Sequence, residues 1–374
     1  MTSKTKIIFL CFNLSSNCLG RVYILAKALQ RYYEVEIIGP ANSGKIWGPV
    51  SSDKTVKLKI VPQTKLVRAV KESNPDLIYA CKPKPTSYGV GLLIRKMTGK
   101  PLILDIDDWE LGFYPLRGKL YSSLFFWDMD NYVSALLMDK LIPRVKYKTV
   151  SNTFLKKKFG GTLVPHFRDT NLFDPKDYNQ KNIKKELGLE NQKIILFLGT
   201  PRKHKGVLDL IAAVEKLARH DVTLLIVGAN KADKAGLPTK PFLKVLGQQP
   251  FNEIPKFLAA SDIVTIFQAA SKASLGQLPA KVFDAMSMAK PVIASRVSDL
   301  PNVLKDCGVI VTPGDIDELV RKMALLLDNP ELAKELGKKA RDKCIQEYSY
   351  DAMAPKLHEL VEEVLDKARQ TART

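Results

Sequence analysis

The densest chemistry in the chain is Asp105-Ile106-Asp107-Asp108-Trp109-Glu110, four carboxylates in six residues. Carboxylates so close repel one another unless a cation or hydrogen-bond donors collect them. Such a group suits recognition or deprotonation of an acceptor hydroxyl. A metal cage is a weaker fit, because no further ligands follow at regular spacing; helix capping by Asp107 or Asp108 is the plain structural alternative. A second set is Gly199-Thr200-Pro201-Arg202-Lys203-His204-Lys205-Gly206, basic groups between an apolar run and an amphipathic one. Backbone amides at a helix start, reinforced by cationic side chains, bind phosphate, although the order is not that of a GxxxxGK[ST] loop. A third is Pro279-Ala280-Lys281-Val282-Phe283-Asp284. Pro279 can open a helix, and Lys281 and Asp284, three apart, then share one face beside its positive end. That pair could take an anion and the vicinal hydroxyls of a ribose or sugar; an ordinary surface ion pair is the alternative. Lys82 and Lys84, in a proline-rich turn after an apolar run, are either anion contacts or solvated lysines.

The elements that must carry these residues alternate strand and helix. Residues 7–12, 35–38, 56–60, 76–80 and 101–106 read as buried strands, with the acidic set at the end of the last. After the first strand come a polar loop and Leu19-Gly20-Arg21, so that Gly20 marks a loop at a helix start. There is no GxGxxG fingerprint. In open α/β sheets ligands bind beyond the carboxyl ends of strands, which is where the Lys82–Lys84 turn and the acidic set must lie. A second series begins with residues 193–198 and continues through 222–228, 242–246, 263–267, 292–294 and 308–311, with helices near 315–327, 330–347 and 350–369. The chain of 374 residues is long for one core. The expected division is an N-terminal domain over residues 1–175, a polar linker over 176–190 and a C-terminal domain over 191–374.

Composition narrows the partners. Lys and Arg number 58 against 39 Asp and Glu, a net charge of +19, most of it in the first half. Such a field attracts anionic lipid, nucleic acid or a phosphorylated substrate. Nucleic acid is disfavoured, since no nucleic-acid motif is present. Large apolar residues between 120 and 139, bounded by Arg117, Lys119, Lys140, Arg144, Lys146 and Lys148, suit either an anionic membrane surface or a core helix with a basic face. Cys11, Cys18, Cys81, Cys307 and Cys344 show no CxxC spacing, which suggests reduced thiols rather than zinc ligands. Apolar runs are too short for a signal peptide or a membrane span, giving an expected cytoplasmic protein, peripheral on the membrane at most.

Several runs together resemble a known family. Gly199 to Gly206, the 245–255 and 261–263 segments, Pro279-x-Lys281-x-x-Asp284 through Ser295, and Gly308 to Asp315 are similar to the retaining GT-B glycosyltransferases of family 4, the glycosyl transferases group 1. Gly20-Arg21, the acidic strand end, Thr149-Val150-Ser151-Asn152 and Pro165-His166 fit the pattern more loosely. The resemblance implies an α/β fold of two Rossmann-like domains facing across a cleft, with the last helix packing back on the N-terminal domain. It implies transfer of a sugar, with retained configuration, from a nucleotide-diphosphate sugar to a lipid-linked or polysaccharide acceptor. No metal or other cofactor is implied, because positive side chains and a helix end neutralise the leaving diphosphate. Arg202 and Lys205 would take the diphosphate with Gly20 facing it, Asp284 the donor ribose, and Gly276, Pro279 and Lys281 would complete the donor site. Lys82, Lys84 and His166 would meet the acceptor or an anion, and Asp105, Asp107 and Asp108 would do the catalytic work. Two departures stand out: the first of two glutamates eight positions apart is Gly276, and the acidic set replaces a common histidine. A nucleotide-sugar epimerase and a non-catalytic nucleotide- or polyanion-binding protein remain alternatives.

Overall fold

The computed structural model describes residues 4–114 and 131–373. The chain forms two compact units, one of residues 1–166, 276–278 and 351–374, the other of residues 167–275 and 279–350.

The first unit is built on a seven-stranded parallel sheet: β1 (Lys6–Cys11), β2 (Glu34–Gly39), β3 (Lys57–Ile60), β4 (Leu77–Cys81), β5 (Leu102–Ile106), β6 (Tyr147–Val150) and β7 (Thr162–Leu163). Their order is β3-β2-β1-β4-β5-β6-β7. Strands β1, β4 and β5 are apolar on both faces because helices cover both, as parallel sheets require. The helices that matter here are α1 (Cys18–Leu29), α2 (Leu66–Glu72), α3 (Val90–Thr98) and α4 (Tyr132–Leu141). Gly99, at φ 71°, ends α3 in a left-handed turn. Asn131 and Ser134 close a reciprocal cap at the start of α4. One apolar core joins Ile8, Leu10, Ile78, Leu104, Ile106, Met138 and Val150. Strand order reverses between β1 and β4, so the crevice suited to a ligand lies beyond Cys11 and Cys81.

The second unit has a six-stranded parallel sheet: β8 (Lys193–Leu198), β9 (Val222–Val227), β10 (Leu243–Leu246), β11 (Ile263–Ile266), β12 (Val292–Ser295) and β13 (Val309–Val311). The order β10-β9-β8-β11-β12-β13 puts its reversal between β8 and β11. Helix α5 (Val207–Leu217) packs on this sheet through Val207, Leu210, Ile211 and Val214. Helix α6 (Lys281–Ser287) follows, then β12. The polar run expected as a linker contains a helix over Gln180–Glu186, capped by the Asn179 side chain and anchored by Ile183. The last helix, α7 (Tyr350–Arg373), belongs almost wholly to the first unit. There Tyr33 Oη lies 2.6 Å from His358 Nδ1 and donates to Glu362 Oε1 at 2.5 Å.

Two local expectations are corrected. Helix α1 begins at Cys18, so Gly20 lies in its first turn rather than in a loop, and Trp47 covers it closely enough that a Cβ would sit 3.2 Å from the ring. Helix α6 begins at Lys281, two residues after Pro279, which instead accepts the first turn's bond from Val282. The aromatic stretch proposed for membrane contact falls largely on residues 115–130, outside those described. No described helix is long and apolar enough to cross a membrane.

Candidate functional site

In the first unit the acidic set divides into two environments. Asp105 is the fourth residue of β5 and wholly buried. Arg21 donates from Nε to Oδ2 at 3.0 Å and from Nη2 to Oδ1 at 2.8 Å, and Thr149 Oγ1 donates to Oδ1 at 2.7 Å. Arg21 also donates to the Pro165 and Val164 carbonyls at 2.9 and 2.7 Å. Burial works against the Arg21 charge, but Asp105 beside it more than compensates and holds it firmly protonated. Asp105 is therefore a tie between β5, α1 and the 164–165 segment, not a carboxylate within reach of an acceptor. His166, next along that segment, is nearly buried.

Asp107, Asp108 and Glu110 instead surround Lys82, whose Nζ lies 2.9, 2.7 and 3.0 Å from them. Lys84 Nζ lies 2.8 Å from Glu110 Oε2 and 5.5 Å from the ring centres of Phe12 and Tyr114. The cation that collects the carboxylates thus comes from the turn after β4. This corrects the expectation that Lys82 and Lys84 are held for a ligand anion: both are buried and committed to the acidic set. Burial opposes the charge on Lys82, yet three carboxylates push its pKa well up. Burial also raises the Asp107 carboxyl, and its neighbours Asp108 and Asp105 add to this against Lys82, leaving it at about 7. Glu110 goes the other way, since Lys82 and Lys84 overcome the effect of burial. Oxygens of Asp107, Asp108 and Glu110 lie within 4.8 Å of one another, a spacing a divalent cation could use, but they enclose the Lys82 ammonium.

Gly276 explains its own lack of a side chain. Trp109 N donates to its carbonyl at 3.0 Å, and a Cβ there would lie 2.5 Å from the Trp109 Cβ. The neighbouring Gln277 pairs with Asp108 through the backbone and donates from Nε2 to Asp108 Oδ1 at 3.1 Å. A glutamate at 276 cannot occupy this path.

In the second unit cations outnumber carboxylates. Asp284 is buried in α6, and Arg168 donates to it from Nε, while Arg168 Nη2 donates to the Ala280 carbonyl at 3.1 Å. Lys281 runs under the loop after β8. Its Nζ fills the space beside Gly199, which sits at φ 119°, and any Cβ at 199 would collide with that ammonium. Burial, with Arg168 and Arg202 nearby, pulls the Lys281 pKa down against the opposing effect of Asp284. Lys205 Nζ donates to the Thr200 carbonyl at 3.2 Å, bracing the loop, while Arg202 is exposed. Among the described residues, Arg168 and Lys281 thus share the Asp284 carboxylate while the Arg202 charge also acts on Lys281, a balance that an anionic ligand would complete. Pro279 lies one residue before the helix cap and has no polar side chain to offer.

Arg168 and Gln277 escaped the sequence reading. Nothing in spacing marks a partner for Arg168 116 positions away.

Each unit is a parallel, doubly wound sheet with charged groups at its carboxyl edge, and the chain has the fold of GT-B glycosyltransferases. The chain superposes on a glycosyltransferase from Rickettsia africae with a TM-score of 0.72 at 19% identity, over 97% of this chain and 99% of that one. It superposes on Anabaena HepE in complex with UDP and glucose with a TM-score of 0.77 at 18% identity, over 96% and 100%. Residues 179–343 match the family model "Glycosyl transferases group 1". It is 28% identical over 200 residues to MMP alpha-(1->4)-mannosyltransferase of Mycolicibacterium hassiacum, covering 51% of this chain and 46% of that protein. It is 21% identical over 340 residues to sulfoquinovosyl transferase SQD2 of Arabidopsis thaliana, covering 88% and 63%. The chain thus spans about half to just under two thirds of the length of these curated relatives.

Proposed function

We propose that the protein is a retaining glycosyltransferase that moves a hexose from a nucleotide-diphosphate sugar to a lipid-linked or polysaccharide acceptor. The observation that carries this reading is the excess of cations in the second unit, where, among the described residues, Arg168 and Lys281 share Asp284 and the Arg202 charge adds to theirs at Lys281. Arg202 and Lys281 bind the diphosphate, and Lys205 holds the loop that presents Arg202. Positive charge placed there stabilises the negative charge that develops on the leaving group. Asp284, oriented by Arg168, accepts from the donor ribose hydroxyls. The names of relatives that transfer mannose or sulfoquinovose, and the UDP bound by HepE, support a nucleotide-sugar donor.

In the first unit Asp107 and Asp108 recognise the acceptor hydroxyl; a carboxyl near pH 7 is matched to that proton chemistry. A membrane-associated acceptor is favoured by exposed apolar residues on α3 and α4 with basic residues near them in sequence. Leu93 and Met97 on α3, and Val133 and Leu137 on α4, are exposed, and Arg95, Lys96, Lys100, Lys140 and Arg144 lie on or beside the same elements. Basic residues around exposed apolar ones suit an anionic lipid surface.

The test is nucleotide release from a panel of uridine, guanosine and adenosine diphosphate sugars, with and without lipid extract. Release with one donor, dependent on acceptor and lost in Arg202→Ala and Asp284→Asn, is the expected result. Turnover of the donor alone into another sugar would point to an epimerase. Neither turnover nor nucleotide binding under any condition would overturn the reading. The membrane component is checked separately by pelleting with anionic vesicles, which should weaken as salt rises.

A further inference from the structure

Three of the five cysteines, dispersed in sequence, meet at the strand-order reversal of the first unit. Cys11 is the last residue of β1 and Cys81 the last of β4, and the two pair in register across the sheet. Cys18 is the first residue of α1, and its Sγ lies 3.8 Å from the Cys11 Sγ. The loop between them spans only residues 12–17 and the sulfurs are in van der Waals contact, so closing the bond takes the sulfurs from 3.8 Å to about 2.0 Å.

The two thiols are not equivalent. Cys11 is fully buried, whereas Cys18 retains 6% exposure. Cys18 Sγ lies 3.0 Å from Ser16 Oγ and 3.1 Å from the Asn13 carbonyl oxygen. It stands at the positive end of a twelve-residue helix. Hydrogen bonding by Cys11 pulls its pKa down, burial opposes this, and Ser16 and the nearby Lys82 charge add to the lowering, leaving it at about 7. Burial pushes the Cys11 thiol up, as it does that of Cys81.

We propose that Cys18 and Cys11 form an oxidisable dithiol, a modification site for small two-electron oxidants of the peroxide class, with Cys18 as the attacking thiolate and Cys11 as the resolving thiol. The Cys18 thiolate attacks one peroxide oxygen and the O–O bond breaks, giving a sulfenic acid at Cys18 and releasing hydroxide or water. The Cys11 sulfur then attacks the Cys18 sulfur, the S–O bond breaks, and water leaves carrying the Cys11 proton. The protein loses two electrons overall and the peroxide gains them. Contact between the sulfurs favours this resolution over further oxidation of Cys18. The crosslink closes the loop of residues 12–17 onto the start of α1, which carries Arg21 and its hold on Asp105.

The experiment treats the folded full-length protein with hydrogen peroxide, blocks remaining thiols, and maps peptides by mass spectrometry. A Cys11–Cys18 crosslink, reversed by dithiothreitol, is expected in the wild type, with Cys307 and Cys344 still alkylated. Before oxidation, Cys18 should react with iodoacetamide at pH 7 at least about ten-fold faster than the other four cysteines. In Cys11→Ser a dimedone-reactive sulfenic acid should accumulate at Cys18, and Cys81→Ser should leave the crosslink intact. Circular dichroism confirms that each variant is folded, and the wild-type mapping stands without them. A folded wild type whose Cys11 and Cys18 stay reduced while its unfolded chain oxidises would overturn the proposal. So would a crosslink that joins Cys81 instead.

Discussion

The charged groups at the carboxyl edges of the two sheets answer the same electrostatic problem in opposite ways. In the first unit, Lys82 and Lys84 meet Asp107, Asp108 and Glu110, and with Asp107 raised to about 7 the charges come close to balancing internally. In the second unit, among the described residues, Arg168 and Lys281 meet Asp284, with the Arg202 charge added at Lys281. A balanced buried cluster holds backbone segments in place and presents neutral or weakly acidic oxygens to hydroxyl groups. An unbalanced one lacks an anion. The proposed reading gives hydroxyl recognition to the first edge and phosphate recognition to the second, and it can be tested from either side.

The largest effect is expected where the balance is broken outright. Lys82→Met leaves three carboxylates gathered around a buried, uncharged group, and losing one partner of a buried ion pair costs about 3–5 kcal/mol. Chemical denaturation should show that loss as a lower midpoint; a change below about 1 kcal/mol would mean the carboxylates reach solvent readily and the cluster is not self-contained. In the second unit the same kind of change should act on binding rather than folding. On the proposed reading, removing the Arg202 or Lys281 charge should delete a contact to phosphate worth about 1.5–3 kcal/mol, or roughly ten- to a hundred-fold in affinity. Calorimetric titration with nucleoside diphosphates measures it, and unchanged affinity in Arg202→Ala and Lys281→Met would remove the contrast. The same titration carried upward in pH should show affinity falling as Lys281, its pKa already depressed, gives up its proton.

Packing at Gly276 offers a smaller test. Gly276→Ala places a Cβ against Trp109 and should cost about 1–3 kcal/mol through overpacking. Neutral behaviour would mean the Trp109 backbone yields and a longer side chain could be accommodated.

The finest test is the pH dependence of stability. Asp107 has a folded pKa of about 7, above its unfolded value, so the folded state holds a proton that the unfolded chain has already released. Its contribution to stability is present below about pH 4 and is lost as pH rises toward and through 7. Asp107→Asn should flatten that part of the profile, so that variant and wild type converge at low pH and the variant gains relative stability near pH 8. Thermal unfolding at several pH values from 5 to 8 checks it, and parallel profiles would show that Asp107 stays ionised throughout.

Much of the fold was legible because its signals are local. Apolar runs of four to six residues marked β1, β4, β5 and β8 to within a residue or so, and an amphipathic run after Gly206 marked α5. The basic loop after β8 and the Lys281–Asp284 pair were legible for the same reason: their members are neighbours in sequence or on one helical turn. The start of α6 was missed by two residues because proline permits a helix start without requiring one.

The sequence alone therefore determined the alternation of strands and helices and the class of fold. It also determined the groups of charge that could do chemistry, since each depends on residue type and short spacing. Tertiary structure alone decided which charges are spent and which remain available. Arg21 and Asp105, 84 positions apart, cancel each other. Lys82 turns inward to the acidic set, and Arg168 reaches Asp284 from 116 positions away. It likewise brought Cys11, Cys18 and Cys81 together from positions that shared no motif. Parallel strands return to the same sheet edge through long crossovers, so neighbours at that edge are remote in sequence, and pairing there is set by strand order rather than by spacing.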